Sequence, residues 1–132
     1  MHMNSTPIAE EFFNAAKEAF SFMPEEVRSE EKSTYYDIKF RSKSIAISVS
    51  YDIRDQEVDC SIDELWDASD KSQKVNLPQY CSLFGYLVKN RGYRGSFKEF
   101  RNNESSHPRW FIDLNAMAGA VAHFFPIEVA NE

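Results

Sequence analysis

Between Tyr36 and Ile62 the chain alternates apolar and polar residues three times over. Tyr36, Ile38 and Phe40 alternate with Asp37, Lys39 and Arg41; Ile45, Ile47, Val49 and Tyr51 with Ala46, Ser48 and Ser50; Val58, Cys60 and Ile62 with Asp59 and Ser61. A period of two predicts strands with one apolar and one wet face. The short connections RSKS and DIRDQ make the three strands antiparallel neighbours. Before them, Ile8, Phe12, Ala16, Ala19, Phe20 and Met23 form a helical stripe, with Phe13 beside it. Thr6 is placed to cap this helix, Pro7 to open it and Pro24 to end it. EEVRSEEK then reads as a charged linker or one short extra turn.

The spacing of Ser61 and Glu64 fits a capping box, which predicts a short helix through Leu65 and Trp66. After the polar stretch DASDKSQKVN, a helix opened by Pro78 would place Tyr80, Leu83, Phe84, Leu87 and Val88 on one face and stop at Gly92. A last helix opened by Pro108 carries Trp110, Leu114, Met117, Val121 and Phe125 together, and Pro126 closes it; RWFIDL fits a fourth strand equally well. The apolar sheet face needs a cover, and the flanking helices supply it. The expected fold is α+β: a three- to four-stranded antiparallel meander sheet covered on one face by three or more helices.

Composition sharpens this picture. A chain of 132 residues with 42% apolar and 27% charged residues is expected to form one globular domain over 1–132. Eleven Phe imply an aromatic-rich core. Cys60 and Cys81 have neither a disulfide framework nor zinc-type spacing, and each falls on an apolar face. No segment has the character of a secretory signal. The longest apolar run, NAMAGAVAHFFP, is shorter than the ~20 residues that span a bilayer. The expected location is the cytoplasm. The opening MHM reads as an expression scar with Met3 as the start, so His2 is set aside.

Charge points to a kind of partner. The net charge is −6, which makes free nucleic acid and anionic membranes poor partners for the surface as a whole. Asp52, Asp55, Glu57, Asp59, Asp63, Glu64, Asp67 and Asp70 crowd into nineteen residues against a single Arg54. Asp63, Glu64 and Asp67 would share one helical turn. Crowding like charges costs folding energy, and a cationic partner relieves it; a solvated face that aids solubility is the plainer reading. These eight carboxylates, with Tyr51 and Trp66 as aromatic anchors, are the candidate partner-binding residues.

Catalytic and cofactor patterns are sparse. The acidic stretch has no Gly and lacks the ligand spacing of an EF-hand. Nothing marks two of its members as a glycosidase pair. The glycines form neither a dinucleotide nor a P-loop pattern, and no G-x-S-x-G occurs. No cofactor or metal is expected. His107 with Glu104, Arg109 and Arg101 could form a small nuclease site, His acting on protons and Arg on phosphate. Against this, His107 sits beside a helix start and His123 near a helix end, where a cation is favoured. Lys89, Arg91, Arg94, Lys98, Arg101 and Arg109 interleave with Tyr93, Phe97 and Phe100, a pattern of single-strand nucleic-acid binding diluted by Glu99 and Glu104. The nuclease or nucleic-acid module around Arg94–Arg109 is the alternative to a binding protein. A dipolar molecule whose basic half serves a second surface or self-association is a further reading, and the sequence does not fix the oligomeric state.

The stretch SIAISVSYDIRDQEVDCSI, an alternating strand with a Tyr-Asp ending, an acidic turn and a Glu-Val strand, resembles small bacterial immunity proteins of contact-dependent and other polymorphic toxin systems. The resemblance implies a protein without enzymatic activity that binds a cognate basic toxin domain stoichiometrically. Many such toxins are nucleases with basic clefts, to which an acidic inhibitor is steered.

Overall fold

The computed structural model describes residues 6–67, 69–70, 72–101 and 106–130. Four antiparallel strands, β1 (Glu25–Glu31), β2 (Tyr35–Arg41), β3 (Ile45–Asp52) and β4 (Glu57–Leu65), form one sheet in the order of the chain. The helices are α1 (Ala9–Ala19), α2 (Leu83–Asn90), α3 (Arg109–Phe124) and the short α4 (Pro126–Ala130), with one 3₁₀ turn at Lys98–Phe100. The α+β meander expected from the pattern is the fold. None of these helices is long and apolar enough to cross a membrane.

The alternation works as it should in β2, β3 and β4. Tyr36, Ile38, Phe40, Ile47, Val49, Tyr51, Cys60 and Ile62 are buried on one face. Phe12, Ala16 and Phe20 from the first helical segment and Trp110, Leu114 and Val121 from α3 join them in a single core. Rings of Phe12 and Trp110 approach to 6.0 Å, and Phe20 stacks on Phe40 at 5.2 Å. The opposite face carries the polar half of each strand, including Asp37, Lys39, Ser48, Ser50, Asp59 and Ser61.

Several expectations are corrected. EEVRSEE is an edge strand, not a linker or turn: Glu25 pairs with Arg41 and Glu31 with Tyr36, through a bulge between Glu26 and Arg28. The fourth strand is therefore β1, and RWFIDL is the first part of α3. No helix follows Ser61. β4 continues through Leu65, because a bulge opposite Ala46 and Ile47 inserts Asp63 and lets both Ile62 and Leu65 face the core. Thr6 does not cap α1; its hydroxyl accepts a hydrogen bond from Gln56 Nε2 at 3.1 Å. The second long helix begins at Leu83, not at Pro78. The Ser82 hydroxyl caps it by accepting from the Gly85 N–H at 3.0 Å. The residues before it run along the free edge of β4, where the Ile62 N–H donates to the Cys81 carbonyl at 2.8 Å. Gly92 terminates α2 with φ +67°, a conformation glycine adopts without strain.

Candidate acidic docking site

The eight carboxylates from Asp52 to Asp70 fall into three groups with different surroundings. Asp52, Asp55, Glu57 and Asp59 gather at the β3–β4 hairpin. The register sets Asp52 directly opposite Glu57, a like-charge pair that opposes folding. The Asp52 carboxylate accepts the Asp55 N–H at 2.9 Å and so shapes the turn. Among the described residues none of these four makes an ion pair, and Arg54 in the same turn makes none either. Partial burial, then the charges of Asp52 and Asp55, push the Asp59 carboxyl above its ordinary pKa.

Asp63 and Glu64 are different. They lie on a strand, not on a helical turn with Asp67, and each meets a cation from β2. Lys39 Nζ is 3.8 Å from Asp63, which also accepts hydrogen bonds from the Ser48 and Ser61 hydroxyls. Arg41 is 3.8 Å from Glu64. The molecule's own basic residues thus pair the far half of the strand.

Asp67 and Asp70 form the third group, each folded onto a serine two residues ahead. Asp67 accepts from the Ser69 N–H at 2.9 Å and hydroxyl at 2.7 Å, and these bonds, the hydroxyl first, hold its carboxyl below the ordinary range. Asp70 does the same with Ser72 at 3.1 and 2.6 Å. Their carboxylates are organised by local loop geometry.

The two aromatic anchors also part company. Tyr51 is fully buried, stacked on Tyr36 at 6.0 Å and packed against Phe12 at 5.9 Å. Its place in the alternation turns it into the core, so it is withdrawn from any partner's reach. Trp66 is half-buried, with Lys74 Nζ 5.8 Å above its ring. It lines a cavity of about 320 Å³ with Tyr86, Arg91 and Glu128. An aromatic that is exposed is Tyr80, 65% so, just ahead of the Cys81–Ser82 stretch that runs along Ser61 and Ile62 of β4; burial, then the charge of Asp59, raises its hydroxyl pKa. The helical spacing predicts Tyr80 on one helix face with Leu83 and Leu87; in the structure it precedes the helix. Ser82, a favoured capping residue just ahead of Leu83, was the signal that puts Tyr80 outside the helix.

Three of the six basic residues of the second half, Arg91, Arg101 and Arg109, make ion pairs among the described residues. Arg101 and Arg109 both contact Asp113, at 3.2 and 3.3 Å. His107 stacks on Phe111 with centroids 4.3 Å apart, and Glu104 lies outside the described residues. Tyr93 and Phe97 are buried and stacked on each other, while Phe100 packs against Phe124. The aromatic residues of that pattern thus serve the interior. Among the described residues no group of three or more His, Cys, Asp or Glu is placed to hold a metal ion. Burial pushes the Cys60 thiol pKa far up, so it stays protonated inside the core.

No family model, curated protein or solved structure matches the chain.

Proposed function

We propose that the chain is a cytosolic binding protein that neutralises a basic partner, a toxin domain of the kind its sequence resemblance implies, by forming a stoichiometric complex. One observation carries this reading. The sheet pairs Asp63 and Glu64 with its own Lys39 and Arg41, yet among the described residues Asp52, Asp55, Glu57 and Asp59 make no ion pair. A cationic surface docked on the hairpin would supply the missing counter-charges and relieve the repulsion felt by Asp59. The contact is accordingly narrower than the whole acidic stretch. It centres on the hairpin, with exposed Tyr80, whose hydroxyl feels the Asp59 charge, as the aromatic contact. Such an inhibitor acts by occupying the toxin's basic cleft and needs no catalytic group of its own.

The test is co-expression with the C-terminal domain of the protein encoded by the adjacent gene. The expected result is that this domain is basic, arrests growth alone, and is silenced by the present chain through a 1:1 complex. A neighbouring product that is harmless, or whose toxicity persists with both proteins present and unassociated, contradicts the proposal.

A further inference from the structure

α2 turns only half of its apolar stripe inward. Leu83 and Leu87 are buried, but Phe84 and Val88, one turn apart on the same face, are 44% and 42% exposed. The loop after the helix borders this strip. The Phe84 ring meets Phe97 edge to face at 5.6 Å and Tyr93 at 6.2 Å. That loop is shaped around the Tyr93 hydroxyl, which accepts the Phe97 N–H at 2.7 Å and donates to Glu99 at 3.0 Å. Phe97 holds a left-handed φ of +68°, and a Cβ at Gly95 would lie 2.6 Å from the same hydroxyl. The pinned turn carries two exposed cations, Arg94 and Lys98. Lys89 follows Val88 on the other side of the strip, where it lines a groove with Tyr80 and Gly85.

Charge here runs against that of the molecule. From Leu83 to Arg101 the sequence carries five cations and a single carboxylate, Glu99, in a chain of net charge −6. Arg91 and Arg101 are taken up by Glu128 and Asp113, at 3.3 and 3.2 Å. Lys89, Arg94 and Lys98 make no ion pair among the described residues. An apolar strip set between unpaired cations is complementary to an apolar ridge set between carboxylates. The spacing of Phe84 and Val88 by four suits the side-chain rows of a second helix. Single-stranded nucleic acid suits the face less well. Successive bases need exposed rings to stack on, and Tyr93 and Phe97 are buried, which leaves Phe84 alone.

We propose that this face docks an acidic amphipathic helix of a partner protein, with the helix's apolar residues on Phe84 and Val88 and its carboxylates toward Lys89, Arg94 and Lys98. The hydrogen bonds around Tyr93 fix the turn before the partner arrives, so docking orders little of it. The inference does not rest on the proposed function. The hairpin calls for a basic surface and this face for an acidic one, so the sign of what binds tells the two apart.

A displayed library of randomised helical peptides, selected on the full chain at low salt, tests it. The expected result is recovery of peptides that carry Asp and Glu beside an apolar pair spaced by four, and that bind less tightly as salt rises. Val88→Asp and, separately, Arg94→Glu/Lys98→Glu, each with its melting curve checked, are expected to raise the dissociation constant of a recovered acidic peptide about tenfold or more. Asp55→Lys/Asp59→Lys should not weaken it. Recovery of no peptides, or of basic ones only, overturns the proposal. So does an acidic peptide indifferent to both variants. An oligothymidylate that binds more tightly than any recovered peptide, and is lost in Arg94→Glu/Lys98→Glu, overturns it in favour of nucleic acid.

Discussion

Tyr51 is the side chain on which sequence pattern and structure can be set against each other most sharply. Its ring is wholly enclosed by Phe12, Tyr36 and the core, and its hydroxyl finds no hydrogen-bond partner among the described residues. A buried hydroxyl left unsatisfied costs about 1–3 kcal/mol relative to its hydrated state. Tyr51→Phe keeps the ring and removes the penalty, at the loss of a few dispersion contacts around one oxygen. The expected net effect is a gain of about 1 kcal/mol. For a chain of this length that raises the melting temperature by about 3–5 °C. The neighbouring Tyr36→Phe is the internal control. Tyr36 donates to the Pro7 carbonyl at 3.0 Å, so the same chemical change there is expected to cost about 1 kcal/mol. Urea unfolding of both variants, followed by fluorescence and circular dichroism with midpoint and slope fitted separately, reads the difference. A Tyr51→Phe protein destabilised as much as Tyr36→Phe would refute the reasoning, because it would require a partner for the Tyr51 hydroxyl.

Other expectations rest on charges. Asp59 has a folded-state pKa above its unfolded one, so the folded chain binds that proton more readily; the resulting handicap is full at neutral pH and fades as pH falls through the raised value. Asp59→Asn is therefore expected to stabilise the protein at pH 7 by a few tenths of a kcal/mol, roughly the size of an exposed like-charge interaction, and the advantage should vanish well below pH 4. Urea midpoints across that range check it, and a variant less stable at pH 7 would count against the assignment. Arg91→Met removes three contacts: the ion pair with buried Glu128, the hydrogen bond to the Phe124 carbonyl at 2.6 Å and the guanidinium over the Phe125 ring at 4.7 Å. It is expected to cost about 2–3 kcal/mol, since a mostly buried carboxylate is left alone, and restoration of much of that loss by Glu128→Gln in the same chain would show the ion pair to be the main cause.

Legibility followed the side chains. β2, β3 and the first part of β4 could be read because one face of each is buried, and burial is what writes a period of two into a sequence. β1 could not: its residues are almost all exposed, and pairing with β2 holds it by the backbone, which leaves no mark on residue type. The end of β4 reads as a helix in the sequence because Ser61 and Glu64 have capping-box spacing, and the bulge at Asp63 that lets the strand run on to Leu65 leaves no mark on residue type. α2 shows the opposite limit. Its apolar stripe was visible, but a stripe does not say which part meets the core and which meets solvent; Leu83 and Leu87 go inward while Phe84 and Val88 do not. Within the acidic stretch, composition located the charge but not its pairing. The partners of Asp63 and Glu64 come from β2, more than twenty residues earlier, and only the strand register brings them together.

The proposed part of the hairpin in binding is measured most directly by association kinetics with the partner domain that the co-expression test identifies. Asp55→Lys/Asp59→Lys would be compared with Asp67→Ser/Asp70→Ser, which removes charge from the loop alone. The expected outcome is that the hairpin variant associates at least about tenfold more slowly at low salt, that the gap narrows as salt rises, and that the loop variant stays close to wild type. Equal association rates for hairpin variant and wild type at low salt would contradict the central proposal that the hairpin carboxylates of Asp52, Asp55, Glu57 and Asp59 receive the partner.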